Sequence, residues 1–180
     1  TVPTELAAGV WDRLVASGGD LGLRLAGYYA INALRLDKGY RALGPELGPD
    51  RSPVEAGLTF TCDLSGDRVF VGREAVERQR AEGPARRLAS FVVDDPRAVL
   101  WGGELLLREG RAVGQVTSAA TSATLGAAVG LAWVWEPGGG PVPRDVLTAG
   151  GYAVDVAGTR HSVRLSVRSP HDPENSHVHH

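Results

Sequence analysis

Apolar residues recur every four positions along "TELAAGVWDRLVASGG" (residues 4–19), where Leu6, Val10 and Leu14 repeat with Ala7, Trp11 and Val15 beside them. That spacing predicts one face of a helix. Pro3 and Thr4 suit its start, and Gly18-Gly19 suits its end. "DLGLRL" then reads as a short extended link. A second helix is predicted over "GYYAINALRLDK" (27–38), with Ala30, Ile31 and Leu34 on a narrow apolar face. Gly39 is placed to cap it, and Lys38 suits the negative end of its dipole. In "GPELGPDRSP" (44–53), three prolines and two glycines predict a stiff excursion without regular structure. "GLTFTCDL" (57–64) alternates as a strand would, with Leu58, Phe60 and Cys62 on one face. "GREAVERQRAEG" (72–83) predicts a short, charged surface helix.

After Pro84 the period changes from helical to alternating. "RRLASFVV", "GELLLREG", "RAVGQVTSA", "AVGLAWVW", "GGYAVDVAG" and "TRHSVRLSVRS" predict six short strands. Glu109-Gly110 and Ala157-Gly158 are hairpin candidates. Strands so spaced predict a small barrel or sandwich. "EPGGGPVPRD" (136–145) reads as a long flexible loop between strands, and "TSAATSATLG" (117–126) as a tight turn whose small residues let two backbones approach. The fold class expected is α+β: part of a mixed body over residues 1–84, a small antiparallel β-barrel over 85–170, and a polar tail over 171–180.

Composition narrows the picture. The chain has 180 residues, a net charge of −2 and 22% charged residues, so nothing in it points to nucleic acid or an anionic membrane as a partner. No apolar run is long enough to span a bilayer. The single cysteine, Cys62, rules out a disulfide framework and fits a reducing, cytoplasmic setting. Its apolar neighbours suggest a buried, inert thiol. The chain opens on Thr1, has no methionine and enters a helix pattern at once, so a piece of a longer protein is expected.

Familiar catalytic motifs are absent: there is no G-x-S-x-G, phosphate loop, H-E-x-x-H or dinucleotide fingerprint. No catalytic residue is assigned. The tail "HDPENSHVHH" holds His171, His177, His179 and His180, which read as a disordered segment with incidental metal affinity, not as a metal site. Arg35, Asp37 and Glu55 crowd the end of the second helix and the turn beyond it, where they could form a buried ion-pair network that locks the excursion.

The residues also carry a resemblance. "GYYAINALRLDKGYRALGPELGPDRSPVEAGLTFTCDL", then "VFVGREAV", "RRLASFVVDD", "GGELLLREGRAVGQVTSAATSATLGAAVGLAWV" and "SPHDPE", resemble in order the second half of the glycine cleavage T-protein superfamily. The resemblance implies a folate-binding α+β body followed by a β-barrel. It also implies one-carbon transfer from an amine to tetrahydrofolate. "YAINALRLDK" is similar to the branch found at the C-terminus of flavin-dependent dimethylglycine and sarcosine dehydrogenases. The free T-protein branch has an arginine where Ile31 stands.

On that resemblance Phe60 is expected to lie against folate, with Tyr29, Arg35 and Glu55 as further folate-site residues. Arg35 and Glu55 are expected to act as scaffold first. Asp37 stands where the family has the longer glutamate. The implied cofactor is tetrahydrofolate, with FAD only in a separate domain, and the implied partner is an upstream flavin and folate-body domain or subunit. The family's catalytic aspartate corresponds to a position before Val2. Two alternatives stay open: a shortened T-protein aminomethyltransferase of glycine cleavage, and a non-catalytic folate-binding or assembly subunit.

Overall fold

The computed structural model describes residues 1–177 and divides into two compact units, Thr1–Ile31 and a second from Asn32 onward. In the first, a single 3-10 turn (Thr4–Leu6) leads into helix α1 (Ala7–Gly18). Gly18 ends α1 because Leu23 folds back on it: the Leu23 amide donates to the Gly18 carbonyl at 2.9 Å, and any Cβ at Gly18 would meet the Leu23 side chain at 2.6 Å. Leu6, Val10, Trp11, Leu14 and Val15, the predicted apolar face, are all exposed. Helix α2 (Tyr28–Asp37) begins in this unit and ends in the second, where Gly39 takes the left-handed conformation expected of a cap.

The second unit is built on a closed six-stranded antiparallel barrel in the order β1-β4-β3-β2-β5-β6. Its strands are β1 (Arg86–Val93), β2 (Leu105–Arg108), β3 (Arg111–Ser122), β4 (Ala127–Trp135), β5 (Tyr152–Val156) and β6 (Thr159–Ser166). These are the six strands expected from the alternation. Both predicted hairpins form: Glu109-Gly110 and Ala157-Gly158 each have two consecutive positive φ values, the twist that a two-residue hairpin needs.

Strand β4 explains its own sequence. "AAVGLAWVW" is nearly all apolar because it is buried on both faces. Ala128, Ala132 and Val134 belong to the barrel interior with Phe91, Leu106, Val154 and Val163. Val129, Leu131 and Trp133 point outward, against Leu36 and Ala56. The excursion after α2 is therefore the outer cover of one barrel wall.

Three expectations are corrected. "GLTFTCDL" is not a strand but a 3-10 turn (Thr59–Thr61), with Phe60 exposed and Leu58 and Cys62 half-buried. Gly57 at φ +69° turns the chain away from an extended path. Its neighbours' amides then bond locally, Leu58 to Pro53 and Cys62 to Thr59. Second, the 136–145 loop is pinned: the Val142 amide donates to Pro84, its carbonyl accepts from Arg87, and its side chain is buried before helix α4 (Arg144–Thr148). Third, the described part of the polar tail is tied down. His171 donates its amide to the Asp37 carbonyl, and its ring stacks on that of His177. His179 and His180 lie outside the described residues. No described helix is long and apolar enough to cross a membrane.

That tail anchor gives a testable acid response. Lys38 Nζ donates to Asp172 Oδ2 at 3.0 Å and to the Asp172 carbonyl at 3.1 Å. Desolvation raises the Asp172 pKa, but donors from Ser176, Lys38 and His177 outweigh it and hold the carboxyl well below its usual range. A depressed carboxyl stabilises the fold above its unfolded pKa, about 3.9, and that contribution is lost as pH falls below it. Asp172→Asn is expected to lower the urea midpoint at pH 7. The difference from wild type should shrink steadily below about pH 4. A gap that stays constant down to pH 2 would exclude this role.

Candidate functional site

The segment between α2 and β1 is held by three separate anchors. Its first is Arg35. The guanidinium donates from Nε to Asn32 Oδ1 at 2.9 Å, and from one terminal nitrogen to the Tyr40 carbonyl at 2.9 Å and Glu46 Oε2 at 3.2 Å. Its other terminal nitrogen donates to Ser118 Oγ at 2.8 Å. Glu46, with no exposed surface, completes the knot. Its Oε1 accepts from Thr117 Oγ1 at 2.7 Å and Ser118 Oγ at 2.6 Å, and its Oε2 accepts the Ala42 amide at 2.8 Å. Both hydroxyls reach it because β3 bulges between Val116 and Ser118.

Glu55 makes the second anchor. Ser52 and Glu55 close on each other: the Ser52 amide donates to Glu55 Oε2 at 2.9 Å, and the Glu55 amide donates to Ser52 Oγ at 3.1 Å. This is the reciprocal bonding of a capping box, and the S-x-x-E spelling of "SPVE" was the available signal for it. Glu55 Oε1 also accepts from Arg86 Nε at 3.0 Å. Arg86 and Arg51 in turn lie over the Trp133 ring, at 5.2 and 5.0 Å from its centroid. The third anchor is Arg41, which donates to the Ala56 carbonyl at 3.0 Å and the Gly39 carbonyl at 2.7 Å. Burial lowers its pKa, with Glu46 acting in the opposite sense.

The expected network of Arg35, Asp37 and Glu55 therefore does not form as one unit. Arg35 pairs with Glu46, Glu55 pairs with Arg86, and the buried Asp37 carboxylate leaves Oδ1 with no partner among the described residues. The Arg35 guanidinium is taken by Glu46 and the Glu55 carboxylate by Arg86, so neither engages Asp37.

What these anchors support is an open cavity of about 840 Å³. Phe60 projects at its edge, 82% exposed, and Val54, Thr61, Cys62 and Asp63 also line it. Arg80, Arg87 and Arg144 reach it from α3 (Arg73–Glu82), β1 and α4. Burial lowers the Arg87 pKa, and the nearby Arg144 charge lowers it further. Cys62 is half-buried on this wall and not sealed in the core as expected. Neither Arg35 nor Glu55 is in the lining. Tyr29 lies in the first unit, 81% exposed, its ring edge-on to Tyr28. An aromatic face beside guanidinium groups suits the binding of a flat, anionic molecule.

Two family profiles match the chain: the GCVT N-terminal domain over residues 1–66, and the glycine cleavage T-protein C-terminal barrel domain over residues 86–172. The chain belongs to the glycine cleavage T-protein family. Within it, the human mitochondrial sarcosine dehydrogenase is 38% identical over 177 residues, covering 98% of this chain and 19% of that protein. The mouse mitochondrial pyruvate dehydrogenase phosphatase regulatory subunit is 34% identical over 175 residues, covering 92% of this chain and 20% of that protein. The chain thus spans about a fifth of these T-protein relatives. The aminomethyltransferase T structure from Bartonella henselae shares the fold, with a TM-score of 0.74 and 22% identity over 90% of this chain and 43% of that one.

Proposed function

We propose that this chain is the folate-binding C-terminal part of a flavin-dependent dimethylglycine or sarcosine dehydrogenase-like protein, which passes a methylene group from an N-methyl amine to tetrahydrofolate. The observation that carries the reading is the cavity with Phe60 at its edge. Its volume of about 840 Å³ lies in the usual range for small-molecule sites, about 300–1,000 Å³. An exposed phenyl ring on a turn fixed by Glu55 and Arg86 is a surface on which a pterin can stack. Tetrahydrofolate would supply the one-carbon acceptor. The residues of this chain would bind and orient it, with Phe60 as wall and Arg35 and Glu55 as the frame behind it; Tyr29, in the first unit and outside the cavity lining, stays a folate-contact candidate on the resemblance alone. FAD would belong to an upstream domain. The exposed apolar side chains of α1 support a partner of that kind, because so continuous a stripe is seldom left to water. Residues 1–84 would complete the folate-binding body and residues 85–170 the barrel. The single free cysteine suits a reducing compartment, cytoplasmic or, as in the two named relatives, mitochondrial.

The test is calorimetric titration of the intact protein with a reduced folate. Phe60→Ala is expected to weaken binding by roughly 0.5–1.5 kcal/mol, about two- to twelve-fold. Unchanged affinity in a folded variant would remove Phe60 from the site.

A second reading, a non-catalytic folate-binding or assembly subunit, is favoured by the likeness to a phosphatase regulatory subunit. Tight folate binding without amine oxidation or methylene transfer in the intact protein would select it. A glycine cleavage aminomethyltransferase is the third. Ile31 at the arginine position argues against it, and lipoyl-dependent aminomethyl transfer would establish it.

A further inference from the structure

The cavity beside Phe60 carries a charge imbalance that a pterin ring does not explain. Three arginines, Arg80, Arg87 and Arg144, face one lining carboxylate, Asp63, although the whole chain carries a net charge of −2. Asp63 is already engaged: it accepts from Ser65 Oγ at 3.2 Å and lies 3.8 Å from Arg68. Among the described residues no carboxylate lies within ion-pair distance of Arg80, Arg87 or Arg144. Arg87 is held in place by its Nε, which donates to the Val142 carbonyl and leaves its two terminal nitrogens for another acceptor. Arg144 sits close enough to oppose the Arg87 charge. Like charges gathered around a cavity without a protein counter-ion cost free energy that a bound anion returns.

We propose that Arg80, Arg87 and Arg144 grip the carboxylates of the γ-glutamyl tail of folate, while Phe60 faces its ring system. The inference rests on the folate reading above. The tail fits better than a small amino acid. It offers several carboxylates along an extended chain, and the three guanidiniums come from three different elements, with the hydroxyls of Thr61 and Ser65 beside them. The α-carboxylate of an N-methyl amino acid would satisfy only one of them.

The experiment uses the intact protein and three probes: tetrahydropterin without a tail, 5-formyltetrahydrofolate with one glutamate, and the same folate with three. The two added carboxylates would form partly exposed, solvent-screened pairs, so the triglutamate is expected to bind roughly ten-fold tighter than the monoglutamate. That advantage should fall to about two-fold in the Arg80→Ala/Arg144→Ala double variant and shrink with salt, since both side chains are exposed and engage at the cavity rim. Tetrahydropterin affinity should not change in the variant. Excess dimethylglycine should leave the tail preference intact; if it abolishes it, the arginines serve the amine's carboxylate and the proposal fails. Equal binding of the mono- and triglutamate would overturn the tail site and leave the folate reading standing. No binding of any of the three would overturn both.

Discussion

Replacing Glu46 with alanine is expected to destabilise the second unit by roughly 3–5 kcal/mol, the range for breaking a buried ion pair from one side. Glu46 has no exposed surface and receives four hydrogen-bond donors: the Arg35 guanidinium, the Ala42 amide and the hydroxyls of Thr117 and Ser118. Its removal strands the Arg35 charge, which keeps only carbonyl, amide-oxygen and hydroxyl acceptors, and leaves the Ser118 hydroxyl without its acceptor. Glu46→Gln keeps the shape and one oxygen, and should cost about 1–3 kcal/mol. Urea midpoints of the two variants check the order. An alanine variant within 1 kcal/mol of wild type would mean that the knot is not what holds the excursion to the barrel. Because the turn bearing Phe60 follows that excursion, the alanine variant should also weaken the folate binding proposed above.

The second large effect is expected inside the barrel, at Gly130. A Cβ there would lie 2.3 Å from the Ser118 carbonyl oxygen and 2.5 Å from Phe91 Cζ. The first contact is backbone of the adjacent strand and the second is the largest fully buried side chain, so neither can give way without moving a wall. Overpacking commonly costs 1–3 kcal/mol, and Gly130→Ala should reach or exceed the top of that range, about 3 kcal/mol. Gly138→Ala is the matched control: nothing lies within 4 Å of its Cβ position and its φ is not positive. It should leave the midpoint unchanged or slightly higher. If both alanines behave alike, the close approach at Gly130 is not a real constraint.

The barrel was legible because its information is local. Alternation over "RRLASFVV" or "TRHSVRLSVRS", and a φ-tolerant pair such as Glu109-Gly110, are readable within a window of ten residues. The reading of "TSAATSATLG" as small residues permitting close approach also holds in part: β3 and β4 do press together at Gly130 and Ser118, although most of the stretch is strand and only its end is turn. Glu46 was not legible. It reads as one charge in a proline-rich loop, and its hydroxyl partners lie 71 and 72 positions away. Val142 was missed for the same reason, since Pro84 and Arg87 hold it from across the fold. Phe60 sat in an alternating pattern that a strand would also produce; only the local amide bonds after Gly57 distinguish the two. Its expected folate contact rested on the resemblance alone, and its exposure beside the cavity came from the structure.

The two-sided burial of β4 also bears on how such a chain can be cut, spliced or shuffled. The barrel is contiguous in sequence and closed in hydrogen bonding, so it looks like a module that could be moved to a new host. Yet Val129, Leu131 and Trp133 form a greasy outer seam whose cover, Leu36 and Ala56, is encoded some fifty residues before the first barrel strand and nearer. A transplanted barrel without that cover would carry an adhesive stripe into its new setting. Recombination that respects only the strand boundaries would thus expose that seam to aggregation, so a cut that keeps the excursion with the barrel is the one the packing tolerates.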